Sequence, residues 1–395
     1  MEINFIDDNL INYDGHNADY IHSLCNELLK RDIKCSVCCN QRLLIQENSK
    51  IKYFKVFEIR SSRLHDLKLL FLNFKYVRIG FSNIIFLKDY FKINKVINQS
   101  SLNILNDLSP RNYFGFLFYT TLTSLLGYKF NFLIIFHDRL PNFQFYLLRL
   151  MQKLSFRHKF HFSSQSRVIS ENLKSRFSLD VKILPTPQIF ETLDILQHNL
   201  NGKLNVTFLG LASKAKGIDF LIDYLKNIIY LNDQRIINKF KFTIQIANID
   251  KELLNNAFEN DLEFISNNKE LDVTFITEKL NNLEYVDLFN KSHVIIAPYN
   301  PFNYKFIQSG VVTQSLSCGK PILLTNDTYC SIEVRELNIG VLFDYGNFED
   351  LTNKLIYTEE HYNIIAADSL SKSAIYRESH GPKKYIDLLL SEFIK

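Results

Sequence analysis

Short apolar runs and helical repeats alternate along this chain from end to end, and that alternation leaves few folds open. Ile3–Ile6 reads as a strand, a polar loop follows at Asp7–Asn17, and Tyr20, Ile21, Leu24, Cys25, Leu28 and Leu29 then recur at helical spacing. Ile33–Cys39 supplies the next strand. A strand–helix–strand unit of this kind closes right-handed with its strands parallel. The second half repeats the plan, with strands predicted at Val206–Leu209, Phe242–Ala247, Val273–Ile276, Val294–Ala297, Ile322–Thr325 and Val341–Phe343. Between them lie helical patterns such as Ile218, Leu221, Tyr224, Leu225 and Ile228. The predicted class is therefore α/β, with two doubly wound, Rossmann-like domains.

At about 150 residues per domain, the 395 residues suit two or three domains. The seam is expected at Pro185–Gly202, which holds two prolines, a polar stretch and a terminal glycine. Residues 1–185 then form the first domain, 186–202 the linker and 203–361 the second domain. An amphipathic tail, 362–395, is expected to pack across both.

Charge separates the halves. Residues 1–200 carry 26 Lys+Arg against 17 Asp+Glu, whereas 201–395 carry 20 against 25. Different partners for the two domains follow, but no nucleic-acid signature accompanies the basic half. Met1–Leu10 is acidic and lacks the layout of a signal peptide, and the six cysteines form no paired framework, so the cytoplasm is the expected compartment. Cys35-x-x-Cys38 lies within a predicted strand without a second ligand pair, which favours buried thiols over zinc. Asn112–Tyr128 holds 17 residues without a charge, yet Thr120, Thr121, Thr123 and Ser124 dilute it. A spanning helix needs about 20 apolar residues, so a buried helix before the strand Asn131–Phe136 is expected instead.

In doubly wound sheets ligands bind beyond the carboxyl ends of the strands, so the residues following each strand matter most. After Val206–Leu209 comes Gly210-Leu-Ala-Ser-Lys-Ala-Lys216-Gly217 and then a helix. Glycines there let the chain turn and approach a ligand, and Lys214 and Lys216 add positive charge beside a helix N-terminus. Read alone, the same residues also describe a solvated loop. After Val294–Ala297, a tyrosine-rich loop leads to Ser309, Gly310 and a short helix stopped by Gly319 and Pro321. Ser309 is a good N-cap, and Gly310 leaves the first amides open to an anion; an ordinary capped helix is the alternative. Two anion sites on one sheet edge suggest a diphosphate. No Walker A motif, no G-x-G-x-x-G after a strand and no Asp-x-Asp occurs, so neither metal nor cofactor is expected and the protein itself supplies the positive charge.

The segments FLGLASKAKGIDFLI and VIIAPYNPFNYKFIQSGVVTQSLSCGKPILLT resemble the donor-binding domain of bacterial group 1 (family-4 type) glycosyltransferases. The opening DDNLINYDGHNADYIHSLCNELLKRDIKCSV and the stretch KFHFSSQSRVISENLKSRFSLDVKILPTPQ are similar to that family's acceptor domain. The resemblance covers most of the chain. It implies the GT-B fold, two Rossmann-like domains facing across a cleft, and sugar transfer from a nucleotide-diphosphate sugar without a metal. By the same resemblance Lys216 contacts the donor diphosphate and the amides of Ser309, Gly310 and Val311 hold it. Gln314 stands at the ribose-contacting glutamate, Gly15 lies near the phosphate, and His137 faces the reacting sugar.

Three positions depart from the family pattern. Leu211 replaces the usual arginine, a role left to Lys214 or Lys305; Phe306 and Gln314 replace the two motif glutamates, and glutamine cannot act as a carboxylate. His137 reads either as a group that orients or deprotonates a hydroxyl or as a neutral histidine bonded to backbone, and Asp138 and Arg139 beside it as functional groups or an ion pair.

Residues 51–100 hold 10 Lys+Arg against 3 Asp+Glu, and 129–176 hold 9 against 2, with aromatic and aliphatic residues interleaved. Such a face suits either water or anionic lipid, and the lipid-linked acceptors of many similar proteins favour a peripheral membrane contact. The leading reading is a transferase, retaining by its resemblance, that builds a cell-surface glycan or a lipid-linked acceptor, as in lipopolysaccharide or capsule. The competing readings are a GT-B scaffold subunit and a nucleotide-sugar epimerase.

Overall fold

The computed structural model describes residues 1–11, 16–44, 50–60, 75–106, 108–109, 111–137, 142–187, 202–247, 249, 253 and 255–394. They divide into two compact units, Met1–Ile189 with His380–Lys395, and Phe190–Ser379. The first unit runs β1 (Glu2–Ile6), α1 (His16–Lys30), β2 (Lys34–Asn40), β3 (Lys52–Phe57), α2 (Lys75–Ile93), β4 (Ser101–Leu105), α3 (Tyr113–Leu125), β5 (Asn131–Phe136), α4 (Asn142–Leu154), β6 (Lys159–Ser164), α5 (Arg167–Phe177) and β7 (Val181–Ile183). The second begins with β8 (Leu204–Phe208), a 3-10 turn at Lys214–Lys216, α6 (Ile218–Leu231), α7 (Gln234–Ile237), β9 (Phe240–Gln245), α8 (Asn256–Asn267), β10 (Asp272–Ile276) and α9 (Asn282–Lys291). It continues with β11 (Val294–Ala297), α10 (Pro301–Tyr304), α11 (Gly310–Cys318), β12 (Ile322–Thr325), α12 (Tyr329–Leu337), β13 (Val341–Phe343), α13 (Phe348–Glu360) and α14 (Tyr362–His380). A last helix, α15 (Pro382–Phe393), returns to the first unit.

Both sheets are parallel throughout. The first has the order β3-β2-β1-β4-β5-β6-β7 and the second β10-β9-β8-β11-β12-β13. Each order reverses beside its first strand, which places a topological switch point between β1 and β4 and another between β8 and β11.

Register in the first sheet is locked by buried polar side chains. Ser36 Oγ donates to Asn4 Oδ1 at 2.7 Å, Asn4 Nδ2 to Asn103 Oδ1 at 2.9 Å, and Asn103 Nδ2 to the Asn131 carbonyl at 3.0 Å. The chain of bonds runs across β2, β1, β4 and β5, whose partners are Asn4 with Ser36 and Asn4 with Asn103. A one-residue slip would bury these groups unpaired, at about 1–3 kcal/mol each.

The six cysteines are buried and free, and burial pushes the Cys38 thiol well up and that of Cys39 up to about 12. Among the described residues no three His, Cys, Asp or Glu side chains gather as a metal site. No described helix is long and apolar enough to cross a membrane.

The stretch 362–395 forms two helices divided at Gly381-Pro382. α14 packs with the second unit, where Tyr376 donates to the buried Glu333 carboxylate at 3.2 Å, and where a methyl at Gly319 would lie 2.6 Å from the Leu370 Cα. α15 packs on α1, with the Tyr20 and Tyr385 hydroxyls 3.0 Å apart and Arg31 bridging to Asp387. One expectation needs correction: α3 was expected to be buried. It buries one face only and turns Phe118, Leu122 and Leu125 to solvent.

Candidate functional site

The carboxyl edge of the second sheet gathers several of the sequence-derived candidates. β8 ends at Phe208, and the chain turns through Gly210, whose φ of +98° lies in the left-handed region. The Gly210 amide donates to Gln245 Oε1 at 2.8 Å, tying the turn to the end of neighbouring β9. Ser213 then caps the 3-10 turn by accepting from the Lys216 amide, and Gly217 closes it at φ +71°. A methyl at Gly217 would sit 1.7 Å from the Pro298 carbonyl oxygen, and Asn300 donates its amide to the Ala215 carbonyl at 3.0 Å. The loops after β8 and β11 are thus stitched together at the switch point of this sheet.

That stitching sets the direction of Lys216. Its ammonium lies 2.7 Å from where a Cβ on Gly210 would stand, and the same point is 3.5 Å from Val311 Cγ2 at the start of α11. The ring of Tyr299, the second residue after β11, lies 5.9 Å from the ammonium. Its hydroxyl is 2.8 Å from Ser309 Oγ, the N-cap of α11. Lys216, Gly210, Val311 and, through Tyr299, Ser309 and Gly310 therefore share one corner. Burial lowers the Lys216 pKa, and no carboxylate among the described residues pairs with it. A half-buried ammonium without a counter-charge among the described residues, set beside helix amides that have no intrahelical acceptor, has the chemistry to receive an anion.

Gln314 lies one turn along α11 from Gly310 and is buried, accepting at Oε1 from the Tyr285 hydroxyl at 2.7 Å. The bond assigns the amide: the carbonyl faces Tyr285, which leaves the NH2 group as the donor on the other side. Lys214 is exposed. Lys305 is exposed as well, Phe306 is half-buried, and Leu211 is 47% exposed. Gly15, Asp138 and Arg139 lie outside the described residues, as does most of the predicted linker.

His137 belongs to the first unit, directly after β5. Its Nε2 donates to the backbone carbonyl of Asn106, directly after β4. That is the backbone-bonded arrangement. Sequence reasoning missed two neighbours. Asn106 Nδ2 donates to Asp7 Oδ2 at 3.2 Å, while Asn106 Oδ1 is buried without a partner among the described residues. Asp7 and Asn106 follow β1 and β4, the strands flanking the switch point of this sheet. Their position beyond those strand ends was the available signal. Tyr299 and Gln245 were missed likewise, although both follow or end strands of the second sheet.

Solved structures resemble the whole chain. Trehalose-6-phosphate synthase OtsA matches with a TM-score of 0.68 at 10% identity, covering 100% of this chain and 99% of its own. The lipopolysaccharide outer core galactosyltransferase WaaB matches at 0.61 and 14%, covering 98% and 97%. HepE from Anabaena, in complex with UDP, matches at 0.63 and 14%, covering 99% and 100%. No family model matches the chain, and no curated protein matches its sequence. What these structures share with the chain is the fold, GT-B.

Proposed function

We propose that the protein is a glycosyltransferase whose second unit holds a nucleotide-diphosphate sugar and whose first unit receives the acceptor. The observation that carries this reading is the unpaired, half-buried Lys216 ammonium packed against Gly210 and the opening of α11. A diphosphate would take its charge from Lys216 and its hydrogen bonds from the amides of Ser309, Gly310 and Val311. No metal is required to neutralise the leaving group on this reading. A charge-directed donor in a dry site supplies about 3 kcal/mol to a developing anion. The Gln314 amide would donate to a ribose hydroxyl.

In the first unit, Asn106 Oδ1, buried without a partner among the described residues, and the His137 ring would meet sugar hydroxyls. His137 would orient or deprotonate the attacking hydroxyl. HepE holds UDP and WaaB is a galactosyltransferase of lipopolysaccharide, so a uridine donor and a cell-surface or lipid-linked glycan, extended in the cytoplasm, head the substrates to be tried. Retention of the anomeric configuration is the outcome implied by the family resemblance, to be read from the linkage of the product.

The test is thermal-shift screening against UDP, GDP, CDP and their sugars, followed by turnover with membrane extract as acceptor source. Lys216→Ala should lower turnover about a hundredfold or more. Undiminished turnover in that variant would remove the assignment. A second reading has its own support, because Phe306 and Gln314 leave the donor corner without either carboxylate: the protein binds a nucleotide sugar and serves a partner enzyme. Donor-dependent stabilisation with no transfer to any acceptor would favour it.

A further inference from the structure

A cavity of about 270 Å³ opens in the first unit between α4, the amino ends of β6 and β7 and the last turn of α15. It lies away from the candidate site. His161, on its wall, pairs in register with Leu133, four residues before His137. At about 3.3 Å per residue, about 13 Å separates the two along the strand direction. Volume sets the size of a ligand. Sites for drug-sized molecules run from about 300 to 1,000 Å³, so this one admits a single ring with its substituents rather than a chain.

Charge sets its kind. Arg149 and Lys182 bring two positive charges to the lining and Asp180 and Glu392 two negative ones, with Lys182 3.5 Å from Glu392 and 3.8 Å from Asp180. Burial, and then the Lys159 ammonium, lower the His161 pKa, so its ring adds no charge at neutral pH. An anion would meet the two carboxylates and a cation the two basic groups, so the lining favours a neutral molecule. Hydrogen bonding narrows the choice. Arg149 Nη2 donates to the Phe177 carbonyl at 3.0 Å, which fixes the guanidinium and leaves its other N–H groups without a carboxylate among the described residues. The Gln152 side-chain amide and both ring nitrogens of His161 have no hydrogen-bond partner among the described residues. Donors and acceptors thus surround one small space from several sides. The Phe393 ring, set edge to face against His161 at 5.7 Å, supplies an apolar wall. A ring that carries closely spaced hydroxyls and has apolar C–H faces answers all of these features.

We propose that this cavity is a second carbohydrate site, which holds one neutral sugar residue of a glycan apart from the reacting centre. The charge and hydrogen-bond argument stands on the cavity alone, and the choice of a sugar among neutral polyols rests on the transferase reading. Its test is saturation-transfer NMR of the full chain with the methyl glycosides of glucose, galactose and N-acetylglucosamine at up to about 10 mM, with inorganic phosphate as competitor. At least one glycoside should bind the wild type. Gln152→Ala/His161→Ala should weaken that binding by about tenfold. Gln152→Ala alone, at a half-buried helix position, should weaken it by about threefold and keep the wild-type melting curve. Lys216→Met and His137→Ala should leave it unchanged, which separates this site from the donor corner and from the strand end at His137. Absence of glycoside binding, or binding that Gln152→Ala leaves intact, would overturn the proposal, as would displacement of the glycoside by phosphate. A wild type that binds the glycoside through Gln152 and transfers no sugar would remove the proposed activity and uphold this site, so the two readings fail separately.

Discussion

Lys216 rests over Gly210: its ammonium lies 2.7 Å from the point a Cβ at residue 210 would occupy. The absence of a side chain at one position therefore decides where the ammonium of this corner can point. Gly210→Ala should both strain a backbone at φ +98° and push the ammonium away from Val311 and Tyr299. The strain costs about 1–3 kcal/mol. Lys216→Met, which keeps the packing but removes the charge, should leave stability near wild type. Both variants should weaken nucleotide-diphosphate binding in calorimetry, by about tenfold or more, since a charge-assisted bond contributes about 1.5–3 kcal/mol. Loss of affinity in Gly210→Ala alone would show that the turn matters and the charge does not.

Gly217 makes a sharper case. A methyl there would overlap the Pro298 carbonyl oxygen at 1.7 Å, and backbone does not yield as a side-chain tip does. The residue also sits at φ +71°. Gly217→Ala should therefore pull the two loops of the second unit apart, with a loss of about 2–4 kcal/mol in denaturant unfolding. The first unit should be untouched, so hydrogen exchange should rise around residues 210–218 and 298–304 and stay unchanged in β1–β7. A variant as stable as the wild type would contradict the close approach.

What the residue pattern revealed, and what it hid, follows from how each strand is buried. Val294–Ala297 and Ile322–Thr325 are unbroken apolar runs at the centre of a sheet, and their bounds match β11 and β12. β4 and β6 escaped notice because Ser101, Asn103, Ser163 and Ser164 interrupt the run, although these polar groups are buried. In β4 the interruption is itself structural, since Asn103 belongs to the bonded row that fixes register. α3 misled in the opposite direction. Its hydroxyl residues Thr120, Thr123 and Ser124 lie on the buried face while Phe118, Leu122 and Leu125 meet solvent, so polarity along the helix does not mark the exposed side. At the candidate site, Lys216 and Ser309 were visible through glycine and capping chemistry. Tyr299 and Gln245 were not, because a tyrosine under a lysine and a glutamine on a glycine amide are tertiary pairings without local spacing.

The first unit carries a built-in sensitivity to acid. His158 Nδ1 accepts from the Phe130 amide at 3.0 Å, which leaves Nε2 to donate to the Thr120 carbonyl at 2.9 Å. Burial pushes its pKa down to about 4 from an ordinary 6.5. Between those values the unfolded chain binds the proton and the folded one does not, so stability falls as pH drops from about 6.5 towards 4 and levels off below. The loss from this group should approach about 3 kcal/mol. His158→Gln should flatten that part of the profile in urea unfolding followed by hydrogen exchange in β5 and β6. A slope equal to that of the wild type would remove His158 as its source.

The second unit should respond at the other end of the scale. Lys320, in the Gly-Lys-Pro run after α11, is 5% exposed and donates to the Ser292 and Asn290 carbonyls at 2.8 and 3.1 Å, closing the end of α9. Burial lowers its pKa to about 8 from 10.5. Here the folded state gives up its proton first, so the unfolded chain holds more protons between about 8 and 10.5 and stability from this group rises with pH across that window. Below pH 8 the cost of the buried charge is present in full, offset by the two carbonyl bonds. Lys320→Met removes the cost and the bonds together: the rise between pH 8 and 10.5 should vanish while stability near pH 7 changes by no more than about 1–2 kcal/mol. Hydrogen exchange at the carboxyl end of α9 should increase in the variant, since the helix loses the donor that holds its last carbonyls. An unchanged alkaline profile would mean that Lys320 stays protonated in its pocket and that the two carbonyls compensate its burial.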